Sequence, residues 1–181
     1  MNRRHFVKTT VTGLGAALLF AETTLLTGCA SVGQELLIAF KAVLGILSGA
    51  GIVPGGALVA AVIGALTDVI TELTAYANAP AADKATVGLK LATFIQIAQD
   101  QLQNFYSQLG LSGVLAGVVE SLIAVILSTL GGLLPTLPVP PQAALNIQRH
   151  VIYVPTLRNA RQFRDDFNSA MTKNGYPEVN F

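Results

Sequence analysis

Apolar residues recur at helical steps along most of this chain, and strict alternation of apolar and polar positions is absent. The clearest case is the stretch from Val87 to Leu109, where Val87, Leu91, Phe94, Ala98, Leu102, Phe105 and Leu109 follow one another at three- and four-residue intervals. Lys90, Thr93, Gln96, Asp100, Gln103 and Ser107 fill the opposite side. Such a pattern predicts an amphipathic helix with one wet face. Breakers divide the rest. Gly49, Gly51, Pro54, Gly55 and Gly56 end a first helix over residues 32–48, and Asn78 and Pro80 end a second over 57–77. The amphipathic helix covers 83–109, with Asp83 as its cap or first-turn acid, and Gly110 closes it. Ser112 is placed to cap a fourth helix, predicted to stop at Leu130 before Gly131, Gly132 and Pro135. The expected fold is all-α, with a four-helix bundle-like core over residues 35–134.

The first, second and fourth helices are greasier than the third. Residues 111–134 carry a single charge, Glu120, and at 1.5 Å per residue are long enough to span a bilayer. Gly45-x-x-x-Gly49 and Gly113-x-x-x-Gly117 are spaced to permit close helix approach. Against a membrane-inserted or pore-forming bundle stand Glu35 and Lys41 in the first helix and Asp68 and Glu72 in the second, because charge within a bilayer is costly. The favoured expectation is a water-soluble bundle.

A different composition follows. Pro135, Pro138, Pro140 and Pro141 predict a stiff linker, which with a short extended segment at Val151–Val154 occupies residues 135–155. Thr156 is placed to cap a C-terminal amphipathic helix in residues 156–181, stopped by Asn174-Gly175. Ala160, Phe163, Phe167 and Met171 form its apolar stripe. Two readings of that stripe stay open. It docks on the bundle, or Phe163 and Phe167 anchor a partner within a rim of Arg158, Arg161 and Arg164.

The front of the chain has its own layout. Arg3, Arg4 and Lys8 precede an apolar run over residues 11–21, and Leu26-Thr27-Gly28-Cys29 follows. The run is shorter than a membrane span and is broken off by Glu22, and the layout is that of a signal peptide of residues 1–28. Asn2-Arg3-Arg4-His5-Phe6-Val7-Lys8 resembles the twin-arginine translocation motif, with Arg3, Arg4, Phe6 and Lys8 matching it. Leu26-Thr27-Gly28-Cys29 is similar to a bacterial lipobox. The two resemblances together imply an exported lipoprotein precursor whose mature chain begins at Cys29, with residues 29–34 as the tether. They also imply that the Cys29 thiol carries the lipid and that the protein faces the periplasm. Ala30, where aspartate would favour retention in the inner membrane, tilts the expectation toward the outer membrane.

Composition narrows the chemistry. Charged residues make up only 12% of the 181, half the usual share, while hydrophobic residues reach 52%. The net charge is +1 with no basic block, so no nucleic-acid footprint exists. Removing residues 1–28 takes Arg3, Arg4 and Lys8 from the basic side and Glu22 from the acidic side, which brings the charge to about −1. Attraction to anionic lipid is then not the membrane-binding force; acyl chains are, at roughly 0.8 kcal/mol per buried methylene. Cys29, the only cysteine, has no partner thiol or flanking base to activate it. His150 is the one histidine beyond the signal region. Asp68, Glu72 and Glu120 have no Glu-x-x-His companion of the di-iron kind. Glutamines 96, 99 and 103 are expected on a solvated face. No metal, cofactor or catalytic constellation is expected. The expected role is a non-catalytic interaction or scaffolding one in the envelope, through membrane lipid and an envelope protein partner; an accessory subunit of a twin-arginine-exported redox enzyme is a further alternative.

Overall fold

The structure is a computed structural model that describes residues 31–133 and 160–181. Among these residues are five helices and no strand: α1 (Ser31–Gly49), α2 (Gly56–Asn78), α3 (Lys84–Gln108), α4 (Gly113–Leu133) and α5 (Ala160–Lys173). The all-α bundle expected from the pattern is what the chain forms. The Pro-rich linker, the Val151–Val154 segment and the Thr156 cap lie outside the described residues.

Short connections make sequential helices antiparallel neighbours. Contacts between helices fix the same order. Gly33, near the start of α1, lies against Ile70 and Leu73 in the later half of α2. Glu72 of α2 pairs with Lys90, near the start of α3. Tyr106, near the end of α3, reaches Glu120 in the first half of α4. α4 lies against α3 and α5. The loops at residues 50–55 and 109–112 therefore share one end of the bundle, and the loop at residues 79–83 marks the other.

Local chemistry sets the helix ends. Gly51 has φ 77°, and the Ile52 amide donates to the Leu47 carbonyl at 2.9 Å while the Gly51 amide donates to Ser48 at 3.0 Å. This is the Schellman arrangement, in which a glycine adopts the left-handed conformation and two otherwise orphaned carbonyls are satisfied. Gly175 closes α5 in the same way, through Tyr176 to Met171 and Gly175 to Thr172. Asp83 sits at the N-cap of α3, but its side chain makes no capping hydrogen bond. The predicted stop at Leu130 is also corrected, since α4 runs through Gly131 and Gly132 to Leu133. All residues from Ser128 to Leu133 are buried. Tertiary packing there outweighs the roughly 1 kcal/mol that each glycine costs a helix.

One core joins all five helices. Leu36, Phe40 and Leu47 of α1, Leu66 of α2 and Phe105 of α3 all belong to it, each at most 1% exposed. The Phe40 and Phe105 rings meet edge to face, with centroids 5.1 Å apart. By length and composition α1, α2 and α4 are apolar enough to cross a membrane. In this fold their large apolar side chains divide between buried and half-buried positions, and the exposed large hydrophobics among the described residues are Val53, Ile97 and Val114, the last on α4 itself.

The glycine pairs behave differently from expectation. A Cβ added at Gly45, Gly49, Gly113 or Gly117 would meet nothing within 4 Å. These residues face open space, so they do not mediate close helix approach. Gly33 does: a Cβ there would lie 2.8 Å from Ile70 Cγ1.

Candidate functional site

α5 carries the candidate partner-binding residues, and its packing decides their availability. Phe163 and Phe167 are fully buried, and Ala160 and Met171 are buried with them on the same stripe. The tail folds back to close over them. Phe181 lies edge-on to both rings, with centroids 5.6 Å from Phe163 and 5.8 Å from Phe167. Asn168 holds the returning strand of chain at Val179. Its Nδ2 donates to the Val179 carbonyl at 3.2 Å, and the Val179 amide donates to its Oδ1 at 2.8 Å. Phe163 and Phe167 thus serve the core, as in the first of the two readings of the stripe, and rings enclosed by apolar neighbours are not displayed on the surface of this fold.

The arginine rim is divided. Arg161 is exposed and lies 4.0 Å from Asp165, one turn along the same helix, a geometry worth a few tenths of a kcal/mol. Arg164 turns to α1, where its Nε lies 3.3 Å from Glu35 Oε1. Arg158 lies outside the described residues. So do Cys29, the Leu26-Thr27-Gly28 lipobox residues, the export-signal residues Arg3, Arg4, Phe6 and Lys8, and His150.

Glu35 is a buried carboxylate only partly satisfied by its partner. Its side chain is 9% exposed, and Oε2 is buried without a hydrogen-bond partner. Burial raises the carboxyl pKa above its ordinary value, and the Arg164 guanidinium offsets only part of that. A raised native pKa means that the folded chain holds this proton more tightly than the unfolded one. The ionised carboxylate therefore costs stability at neutral pH, and the cost is relieved as pH falls through the native pKa. Thermal melts from pH 7 to pH 4 should show an increment of stability on acidification that Glu35→Gln lacks. Equal pH profiles for the two proteins would refute this.

The acids considered for a shared centre do not converge. Glu72 is buried and paired with Lys90 across the α2–α3 interface. Glu120 accepts from the Tyr106 hydroxyl at 3.4 Å, and Asp68 is exposed on the outer side of α2. Burial, and after it the nearby Glu120 carboxylate, raise the Tyr106 pKa. No group of three or more His, Cys, Asp or Glu residues is placed to hold a metal among the described residues. Gln99 corrects the reading of a glutamine face. It is 7% exposed and donates to the Leu127 carbonyl of α4 at 3.3 Å, while Gln103 stays in solvent. The face that meets α4 is set by the bundle and not by the α3 pattern.

Sequence reasoning missed the Glu72–Lys90 and Glu35–Arg164 pairs. The first had a signal: the two residues lie equally far from the 79–83 loop, so an antiparallel hairpin brings them level. The second joins α1 to α5 across the whole chain and had none. Compared with known proteins, the chain matches no family model, no curated protein and no solved structure.

Proposed function

We propose that this protein is a lipid-anchored helical protein of the cell envelope, exported through its Arg3-Arg4 motif, held by acylated Cys29 and acting by interaction or scaffolding. The observation that carries this reading is where polar residues fall on the helices apolar enough to span. Lys41 on α1, Asp68 on α2 and Glu120 on α4 are all exposed, while every large apolar side chain of these helices except Val114 is buried or half-buried. That distribution suits a bundle in water, since lipid around it would have to accept three charges at mid-helix. The tether supplies covalent lipid to such a bundle, and α1 opens at Ser31, two residues after Cys29 in the sequence. The buried acids are engaged in helix-to-helix pairs, which favours a structural role for them. The length and hydropathy of α1, α2 and α4 favour the alternative, a bilayer-inserted bundle.

Labelling with a radioactive fatty acid and blocking lipoprotein signal peptidase separate the two. The expected result is lipid on the wild-type chain, accumulation of a larger precursor under the block, and neither effect in Cys29→Ala. Processing of Cys29→Ala to the normal mature size would sink the anchor. Failure of a membrane-impermeant amine reagent to reach Lys41 in the membrane-bound chain 30–181 would favour insertion.

A further inference from the structure

The charged residues of this bundle are distributed unevenly along its length. No Asp, Glu, Lys, Arg or His occurs from Ala42 to Thr67, or from Gln101 to Val119. The antiparallel order brings these two stretches to one end. They comprise the last turns of α1 and α3, the first turns of α2 and α4, and the loops at residues 50–55 and 109–112. At 1.5 Å per residue, the last charges before that end leave a charge-free cap roughly 10 Å deep or more on every helix: Lys41, Asp68, Asp100 and Glu120. α5 does not reach it, since its C-terminal Asn174 lies beside Ser121, next to Glu120.

The same end carries the two most exposed large apolar side chains described. Val53, in the first loop, is 88% exposed, and Val114, just after the second, is 86% exposed. Ile52, Leu111 and Leu115 are half-buried behind them. The remaining exposed polar groups there, such as Gln103, Asn104, Ser107 and Gln108 on α3, are uncharged.

We propose that this end of the bundle inserts into a lipid surface, with Val53 and Val114 as its leading side chains. A cap about 10 Å deep matches the depth to which interfacial segments sink into the boundary of headgroups and acyl chains. Over that depth a charge would be expelled and an uncharged amide is tolerated at headgroup level. Among the described residues the tip carries no basic side chain, which commits it to neutral lipid, held by apolar burial rather than by counter-charge. The tip is distinct from the anchor. Ser31, where α1 begins, lies at the opposite end of the bundle, so the tip is a separate surface from the start of α1. Insertion of the tip does not depend on acylation.

The test uses the chain 30–181, made without the leader, which keeps every described residue and carries no lipid. It is floated with vesicles of phosphatidylcholine. The expected result is comigration that persists in high salt. In Val53→Asp/Val114→Asp the partition coefficient should fall by at least about tenfold, with unchanged circular dichroism and melting, because neither valine is in the core. No comigration of the parent chain would overturn the proposal, as would equal partitioning of the variant. Binding only to anionic vesicles, lost in salt, would also overturn it, and so would a vesicle-free dimer that Val53→Asp dissociates, which would make a second copy the occupant of the tip. Failure of the anchor shows instead as missing lipid on Cys29, with flotation of the chain 30–181 retained.

Discussion

Phe105→Ala should destabilise the bundle by about 3–5 kcal/mol, the range for removing a buried phenyl ring from a core that relaxes only partly. Phe105 is fully buried and meets the fully buried Phe40 edge to face at 5.1 Å. It lies in the last turn of α3, so the hole opens where α1 and α3 meet. Urea unfolding of the chain 30–181, followed by circular dichroism, should show a lower midpoint with an unchanged slope. The edge-to-face contact itself contributes about 0.5–1.5 kcal/mol beyond the buried area. Phe40→Ala combined with Phe105→Ala should therefore cost less than the two single changes added together. A loss below 1 kcal/mol for Phe105→Ala would mean that α1 does not pack on α3 as described.

Gly33→Leu acts through the opposite fault. At Gly33 there is no room: a Cβ would lie 2.8 Å from Ile70 Cγ1, 3.3 Å from Leu73 Cδ1 and 3.5 Å from the Ile70 backbone. A leucine must push α1 away from α2, and overpacking of this kind costs about 2–3 kcal/mol. Gly33→Ala is the graded control. It keeps the clash of the Cβ but regains up to about 1 kcal/mol of helix propensity, so its net loss is smaller. Gly45→Ala and Gly117→Ala should raise the melting midpoint instead, since the added methyl meets open space and the unfolded chain loses freedom. Equal effects at Gly33 and Gly45 would refute the close α1–α2 approach.

These two results bear on which glycines matter, and the sequence pattern pointed to the wrong ones. Gly45/Gly49 and Gly113/Gly117 have the spacing of a helix-approach motif, yet they face solvent. Gly33 has no such partner in the sequence and makes the contact. A glycine pair shows only that a helix has a smooth stripe; which stripe meets another helix depends on the rotation that the whole apolar face imposes.

Helix number, order and approximate ends were legible, because their causes are local. The 3.6-residue period, the glycines at 51 and 175 and the breaks at Asn78 and Gly110 act within a few residues of themselves. The α5 stripe was also legible as a stripe. Its role was not, since Phe163 and Phe167 would look the same in sequence whether they met this bundle or another protein. Their burial under Phe181, and the grip of Asn168 on Val179, are decided by the tail turning back at Gly175.

For this protein the sequence by itself determined an all-α chain, a charge-poor composition and a pattern that places one wet face on α3. It also determined the two long stretches without charge. Only the tertiary structure brought those stretches to the same end, buried Gln99 against α4, carried α4 through Gly131 and Gly132, and set Arg164 against Glu35. The physical reason is the reach of the forces involved. Helix formation and capping are written in neighbours along the chain, whereas desolvation and packing depend on side chains that meet across helices, often far apart in sequence.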